Sequence, residues 1–264
     1  IHIEIDPAEV NKVIPAEVAL EADAKRALSA LLPLIEQRAR DSNWSDRIAG
    51  YRREEVDVVI TPELYPNDGP LHMGEMVRHV SEQTDGRAII VSDVGQHQMF
   101  AARYYEFRKP LSHVTSGGLG TMGFSLPAAI GAKVGNPDRP VVAIIGDGGF
   151  QMTLQELGTI MQERLNVKII ILNNGYLGMV RQWQELFFDR RYSQGHMENP
   201  NFVQICAGFG IPAQRLEARE DLEAAVVKLL TTDGPALLEA VVGAENNVFP
   251  MVPAGAAVNE IRLR

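Results

Sequence analysis

The sequence predicts an α/β protein built on a doubly wound, mainly parallel sheet with helices on both faces. Three observations predict it. Residues 141–145 and 167–172 are short, β-branched apolar runs about one helix apart, the pattern of a βαβ unit. Each run stops abruptly at polar and glycine residues: Gly146-Asp147-Gly148-Gly149 after the first, Asn173-Asn174-Gly175 after the second. Further apolar runs alternate with helical stretches between residues 71 and 242, as in a parallel sheet covered on both faces.

The elements follow in order. Residues 1–6 alternate like a strand, with no initiator methionine before them; a fragment of a longer protein is expected. Residues 22–40 have helical periodicity through Ala27, Leu28, Leu31, Leu34 and Ile35, with a kink expected at Pro33. Residues 41–69 are polar and broken by Pro62, Pro66 and Gly69, which reads as a boundary holding a short helix. Residues 71–84 read as a helix and 88–92 as a buried strand ending in Asp93-Val94-Gly95-Gln96-His97. A glycine-rich loop, 116–123, feeds a small-residue helix at 126–135. After the 141–178 unit come helices at 179–188 and 201–209, a strand at 213–216, a helix at 219–231 and a strand at 236–242. Residues 244–264, with Pro250, Pro253 and Gly255, read as a packed tail.

Composition excludes several classes. A chain of 264 residues, 45% hydrophobic and 22% charged, is ample for a core. A net charge of −9 without a basic stripe argues against nucleic-acid binding. No apolar run approaches membrane-spanning length, and no signal peptide is visible. The single cysteine, Cys206, cannot form an internal disulfide and fits a reducing cytoplasm.

The chemistry concentrates where the two runs stop. A right-handed crossover brings both turns to one edge of the sheet. On neighbouring strands, about 4.8 Å apart, Asp147 and Asn174 converge at the carboxyl edge, where open α/β sheets bind ligands. A carboxylate and an amide oxygen suit Mg²⁺, which shares its shell with phosphate oxygens. Taken alone, Gly146-Asp147-Gly148 has two readings: a phosphate cradle, or a tight turn capped by Asp147. It is not a dinucleotide fingerprint, because Gln151 stands where that pattern needs glycine.

The spacing of this turn to Asn173-Asn174 resembles the binding motif of thiamine diphosphate enzymes. Val94-Gly95-Gln96-His97-Gln98-Met99, residues 117–124 and residues 178–184 are similar to the acetohydroxyacid synthase (acetolactate synthase) large-subunit family, as is the opening 2–9. The similarity runs in order from residue 1 to about 254 and matches the carboxyl-terminal half of such a subunit. It implies a thiamine diphosphate-binding fold over 70–243, a remnant of the middle, FAD-associated domain over 1–40, a linker at 41–69 and a tail at 244–264. It implies that Asp147, Asn174 and the Tyr176 carbonyl hold Mg²⁺, and that the metal bridges to the diphosphate. Gly95, Gln96 and His97 would meet the diphosphate, Gly148 and Gly149 would add backbone donors, and Val94 and Gly146 would belong to the same cofactor-binding set. Gly120 belongs to the glycine loop, and Met122 would bend the cofactor. Leu177, Gly178 and Met179 would line the thiazolium side, and Trp183 would shape the pocket for a second keto acid. The bland readings are a capping or core histidine for His97, a core methionine for Met122 and a buried helix aromatic beside Phe187 for Trp183.

The resemblance further implies condensation of pyruvate with a second 2-keto acid such as 2-ketobutyrate, with loss of CO₂, in branched-chain amino acid biosynthesis. Its partners would be a second copy, as a homodimer or larger homo-oligomer, and a small regulatory subunit. The activating glutamate belongs to an amino-terminal domain without counterpart here, so no catalytic acid is assigned and the chain alone is expected to be inactive. FAD belongs to the whole enzyme and is not expected on this chain. Glu75 and Glu156 read as helix-surface residues, and Glu4 is a mild departure where the family often has aspartate. Alternatives are a non-catalytic assembly module and a sibling such as glyoxylate carboligase; Arg181-Gln182-Trp183-Gln184 weighs against the sibling.

Overall fold

A computed structural model describes residues 1–36 and 42–264. The chain divides into two compact units, Ile1–Arg52 and Arg53–Arg264. In the first, strands β1 (His2–Glu4) and β2 (Ala19–Glu21) pair in parallel, with His2 opposite Ala19. Helix α1 (Ala24–Leu31) follows, and Asp23 caps it by accepting from the Arg26 N–H at 3.0 Å. Pro33 does not kink a long helix: α1 ends at Leu31 and Pro33 lies in the 3₁₀ turn Leu32–Leu34. The rest of the helix expected over 22–40, from residue 37 onward, lies outside the described residues. Ala27 is the one buried residue among the described residues of this unit.

The helix expected within 41–69 is longer than its breakers suggest. Residue 41 lies outside the described residues; α2 spans Ser42–Glu55, passes through a π-turn at Val56–Ile60 and leads to α3 (Thr61–Leu64). Pro62 does not break the chain: it stands in the first turn of α3, directly after the π-turn.

The second unit carries the main sheet. Its elements are α4 (Met73–Gln83), β3 (Ile89–Ser92), α5 (Gln96–Tyr104), β4 (His113–Thr115), α6 (Ser125–Gly135) and β5 (Val141–Gly146). After these come α7 (Asp147–Thr153), α8 (Leu157–Gln162), β6 (Val167–Asn173), α9 (Gly178–Phe187), α10 (Phe202–Gly208), β7 (Ala213–Leu216), α11 (Leu222–Thr231) and β8 (Ala236–Val241). The strand order is β4-β3-β5-β6-β8-β7, and every pairing is parallel. Alternate residues feed two cores, as period-2 strands require. Val142, Ile144, Ile170 and Leu172 pack with Met76, Val80 and Phe100 on one face. Ala143, Ile145, Ile169 and Ile171 pack with Leu126, Phe150 and Phe202 on the other. This is the doubly wound sheet the sequence predicts. Reading the sequence alone passed over β2, β4 and α5, all short or of mixed polarity.

One expectation is corrected. Glu75 is not a helix-surface residue; it is 3% exposed. Its Oε1 accepts from the His72 N–H at 2.6 Å, half of a capping box at the start of α4, and Arg219 Nε donates to its Oε2 at 3.0 Å. Burial is tolerated because the charge is paired. Glu156 is half-buried in the 3₁₀ turn Leu154–Glu156. In the tail, Val248 is buried against the first core.

The buried Glu63 and the half-buried His72 oppose each other in pH dependence. Burial pushes the Glu63 carboxyl up to about 7, against the pull of the Tyr104 hydroxyl and the Arg103 charge. Burial likewise pulls the His72 imidazole down to about 4, helped by the Arg219 charge. Folded Glu63 keeps a proton that the unfolded carboxyl releases near 4.5, so its contribution to stability falls as pH rises to about 7. His72 contributes fully above 6.5, and its contribution is lost as pH falls toward about 4. Glu63→Gln removes only the first effect. In urea denaturation, this variant should therefore gain on wild type as pH rises from about 5 to about 7; a constant difference would contradict the assignment.

Candidate functional site

Strands β5 and β6 end side by side, with Gly146 opposite Leu172. Just beyond their ends, a cavity of about 220 Å³ opens at the carboxyl edge. Val94, Gly95, Gln96 and His97 line it from the turn after β3. Gly146, Asp147, Gly148 and Gly149 line it from the turn after β5, and Asn174, Tyr176, Leu177, Gly178 and Met179 from the turn after β6. Met122 reaches it from the glycine-rich loop. Gly120 and Trp183 do not line it. Gly120 has φ +66° in an exposed part of the loop. Trp183 is 42% exposed and packs on Phe187, ring centroids 5.1 Å apart.

Asp147 is buried, and three separate segments donate to its carboxylate. Gly148 N–H reaches Oδ1 at 3.1 Å, while Gly175 N–H and Asn199 Nδ2 reach Oδ2 at 3.0 and 2.7 Å. Burial raises the carboxyl above its ordinary range, and these donors pull it back. Asn174 Oδ1 accepts from the Tyr176 N–H at 3.1 Å, and its Nδ2 donates to Gln96 Oε1 at 3.2 Å. Gln96 in turn donates to Gln182 Oε1 at 3.0 Å. Gln182 grips the tail through both Val248 backbone groups, at 3.1 and 2.9 Å.

His97 is held edge-on by its surroundings. A Cβ at Gly95 would lie 2.8 Å from its ring, and one at Gly146 2.9 Å from Nδ1; the imidazole fits in a slot that two absent side chains leave. Its Nε2 hydrogen-bonds the fully buried Asp93. Asp93 also accepts from the Gly123 N–H at 2.8 Å, and its carboxylate would collide with a Cβ at Gly149. One buried acid thus ties together the end of β3, the glycine loop, α5 and α7.

The donor set decides what the cavity can hold. Among the described residues, no group of three or more His, Cys, Asp or Glu side chains is placed to hold a metal. The oxygens of Asp147 and Asn174 and the Tyr176 carbonyl are hard donors from the cavity lining, and such a set fits a cation whose shell anionic phosphate oxygens complete. Asn199, Asp93 and Gln182 were not singled out from the sequence. Asn199 lies in an irregular polar loop with no periodic signal, and its contacts, those of Gln182 with Gln96 and Val248, and that of Asp93 with Gly123 are long-range.

If the slot around His97 is steric, a methyl group at Gly146 displaces the ring. Gly146→Ala should lose about 1–3 kcal/mol in chemical denaturation. Gly131→Ala, in α6 with open space around it, should gain about 0.5–1 kcal/mol. Equal effects would refute the slot.

Comparison with known proteins gives this geometry relatives. Residues 93–240 match the family described as the carboxyl-terminal thiamine pyrophosphate-binding domain of thiamine pyrophosphate enzymes. The acetolactate synthase isozyme 2 large subunit of Escherichia coli K12 is 42% identical over 262 residues, covering 99% of this chain and 46% of that protein. The acetolactate synthase large subunit of Lactococcus lactis is 40% identical over 262 residues, 98% of this chain and 44% of that protein. The mitochondrial acetolactate synthase catalytic subunit of Saccharomyces cerevisiae is 38% identical over 260 residues, 98% of this chain and 38% of that protein. The chain thus spans less than half the length of these relatives.

Proposed function

The chain belongs to the thiamine pyrophosphate enzymes, and from that premise we propose that it holds the diphosphate end of the cofactor together with Mg²⁺, as part of an acetolactate synthase. The observation that carries this is the Asp147 carboxylate, hydrogen-bonded to the turn that holds Asn174 at the mouth of one cavity. Asp147, Asn174 and the Tyr176 carbonyl would hold the metal. The backbone N–H groups of Gly148 and Gly149 and the polar groups of Gln96 and His97 would face the diphosphate. When bound, the cofactor supplies a cationic thiazolium ring that acts as an electron sink for decarboxylation of a 2-keto acid. Met122, Leu177 and Met179 give the cavity an apolar side that orients the ring and excludes water.

The chain's own residues supply binding rather than proton transfer. Asp147 is the one carboxylate among the described residues lining the cavity, and the metal role occupies it. Glu75 is held by Arg219 and the α4 cap. The activating acid would come from elsewhere in the whole protein, as would the FAD site. Pyruvate and a second 2-keto acid, in branched-chain amino acid biosynthesis, are the substrates this reading assigns to that whole protein. Association with a second copy is part of it: Val180 lines the cavity yet is 43% exposed, beside the exposed Trp183. A small regulatory subunit and a cytoplasmic location follow the same reading. Among the described residues, no helix is long and apolar enough to cross a membrane.

Calorimetry tests the site. The chain should bind thiamine diphosphate in the presence of Mg²⁺, and Asp147→Ala should abolish the Mg²⁺-dependent part; unchanged binding would reject the metal assignment. A colorimetric assay for acetolactate from pyruvate should find no turnover by this chain alone. Robust turnover would show that the acid is present after all.

A further inference from the structure

Strand β8 runs through the core, and its sequence is apolar except for Glu239. Glu239 is 1% exposed. Its Oε1 accepts from Asn173 Nδ2 at 2.7 Å and from Arg215 Nη1 at 3.2 Å. Its Oε2 is buried and has no hydrogen-bond partner among the described residues. A buried carboxylate with one oxygen unsatisfied is costly, and an apolar residue of similar size is often as stable or more so. Core packing therefore does not explain it.

Its hydrogen bonds do. Asn173 ends β6, one residue before Asn174. With its Nδ2 on Glu239, its Oδ1 accepts from Asn199 Nδ2 at 2.9 Å and from the Gly175 N–H at 3.1 Å. The same Asn199 Nδ2 donates to Asp147 Oδ2 at 2.7 Å, and Asn199 Oδ1 accepts from Gln151 Nε2 at 2.8 Å. An amide can turn over and exchange its donor for its acceptor; an ionised carboxylate only accepts. Glu239 therefore takes the Asn173 NH₂ at one end of the two linked amides, as Asp147 takes the Asn199 NH₂ at the other. If Asn173 turned over, its NH₂ would face the Asn199 NH₂ and the Gly175 N–H, donor against donor, and would press on the Asn199 amide that serves Asp147.

We propose that Glu239 is a positioning residue for Asp147, acting through the buried Asn173 and Asn199 amides. It touches neither the cavity nor any reacting atom. It helps fix which way the amides point, and so keeps the Asn199 NH₂ on Asp147 Oδ2 beside the two backbone donors. The inference rests on the metal–diphosphate reading of Asp147 for its consequence, but the amide polarity exists without any ligand.

The test uses this chain with two readouts: Mg²⁺-dependent thiamine diphosphate binding by calorimetry, and the side-chain NH₂ resonances of Asn173 and Asn199 by NMR without ligand. Outer partners of metal ligands set affinity by about 10- to 100-fold. Glu239→Leu should weaken Mg²⁺ binding by at least about tenfold on that scale. It should also shift both amide resonances and speed their hydrogen exchange. Glu239→Gln still offers an acceptor to Asn173 and should stay close to wild type. Arg215→Met removes the ion pair but leaves the amides in place, and should not change Mg²⁺ affinity. Equal affinity and unmoved amide resonances in Glu239→Leu would overturn the proposal, as would an Arg215→Met loss matching that of Glu239→Leu. If wild type itself binds no cofactor, the reading under Proposed function fails, and the amide resonances still decide this one. If Glu239→Leu does not fold, Asn173→Asp should lose affinity by placing two acceptors face to face. The double variant Asn173→Asp with Glu239→Gln should restore it, because donor and acceptor are then exchanged; failure to restore would overturn the proposal.

Discussion

The hydrogen bonds to one Asp147 oxygen join two turns that the sequence separates by a helix and a strand. Oδ2 accepts from Gly175 in the turn after β6 and from Asn199 in a loop far along the chain. The sheet makes this possible: β5 and β6 are parallel neighbours in register, so their carboxyl ends arrive together. The strands are buried along nearly their whole length, so a one-residue slip would exchange the side chains fitted to the two cores. Packing fixes the strands, the strands fix the turns, and the hydrogen bonds on Asp147 lock the turns to each other.

Around that link the site is defined as much by missing side chains as by those present. His97 occupies the space beside Gly95 and Gly146, and Asp93 presses on Gly149. These contacts bring the ends of β3 and β5 against each other, and the Asp93 hydrogen bond to Gly123 adds the glycine loop. The result is a preformed cavity with an apolar side and one carboxylate, the kind of site in which a few polar groups orient a ligand and the rest exclude water.

Much of this was legible in the sequence. The βαβ unit at 141–178 stood out because its strands are continuous apolar runs, which only a sheet buried on both faces requires. Asp147 and Asn174 could be placed because the crossover rule brings their turns to one edge, and the resemblance to thiamine diphosphate enzymes pointed to the neighbouring loops. The unread parts share a cause. Strand β4 is three residues long, and α5 mixes polar and apolar groups without a clear stripe. Glu75 looked like a surface residue because its partner, Arg219, is 144 residues away. Asn199 sits in a loop whose polarity is ordinary for loops. Glu239 did leave a signal, a lone charge inside an apolar strand, but its meaning lies in the Asn173 amide it faces.

The cation site proposed for Asp147, Asn174 and the Tyr176 carbonyl can be measured directly. Anomalous diffraction from crystals of this chain grown with thiamine diphosphate and Mn²⁺ in place of Mg²⁺ tests it most directly. One strong peak is expected at the carboxyl edge of β5 and β6, about 2.0–2.3 Å from those three oxygens. A peak elsewhere, or cofactor density with no metal beside Asp147, would contradict it.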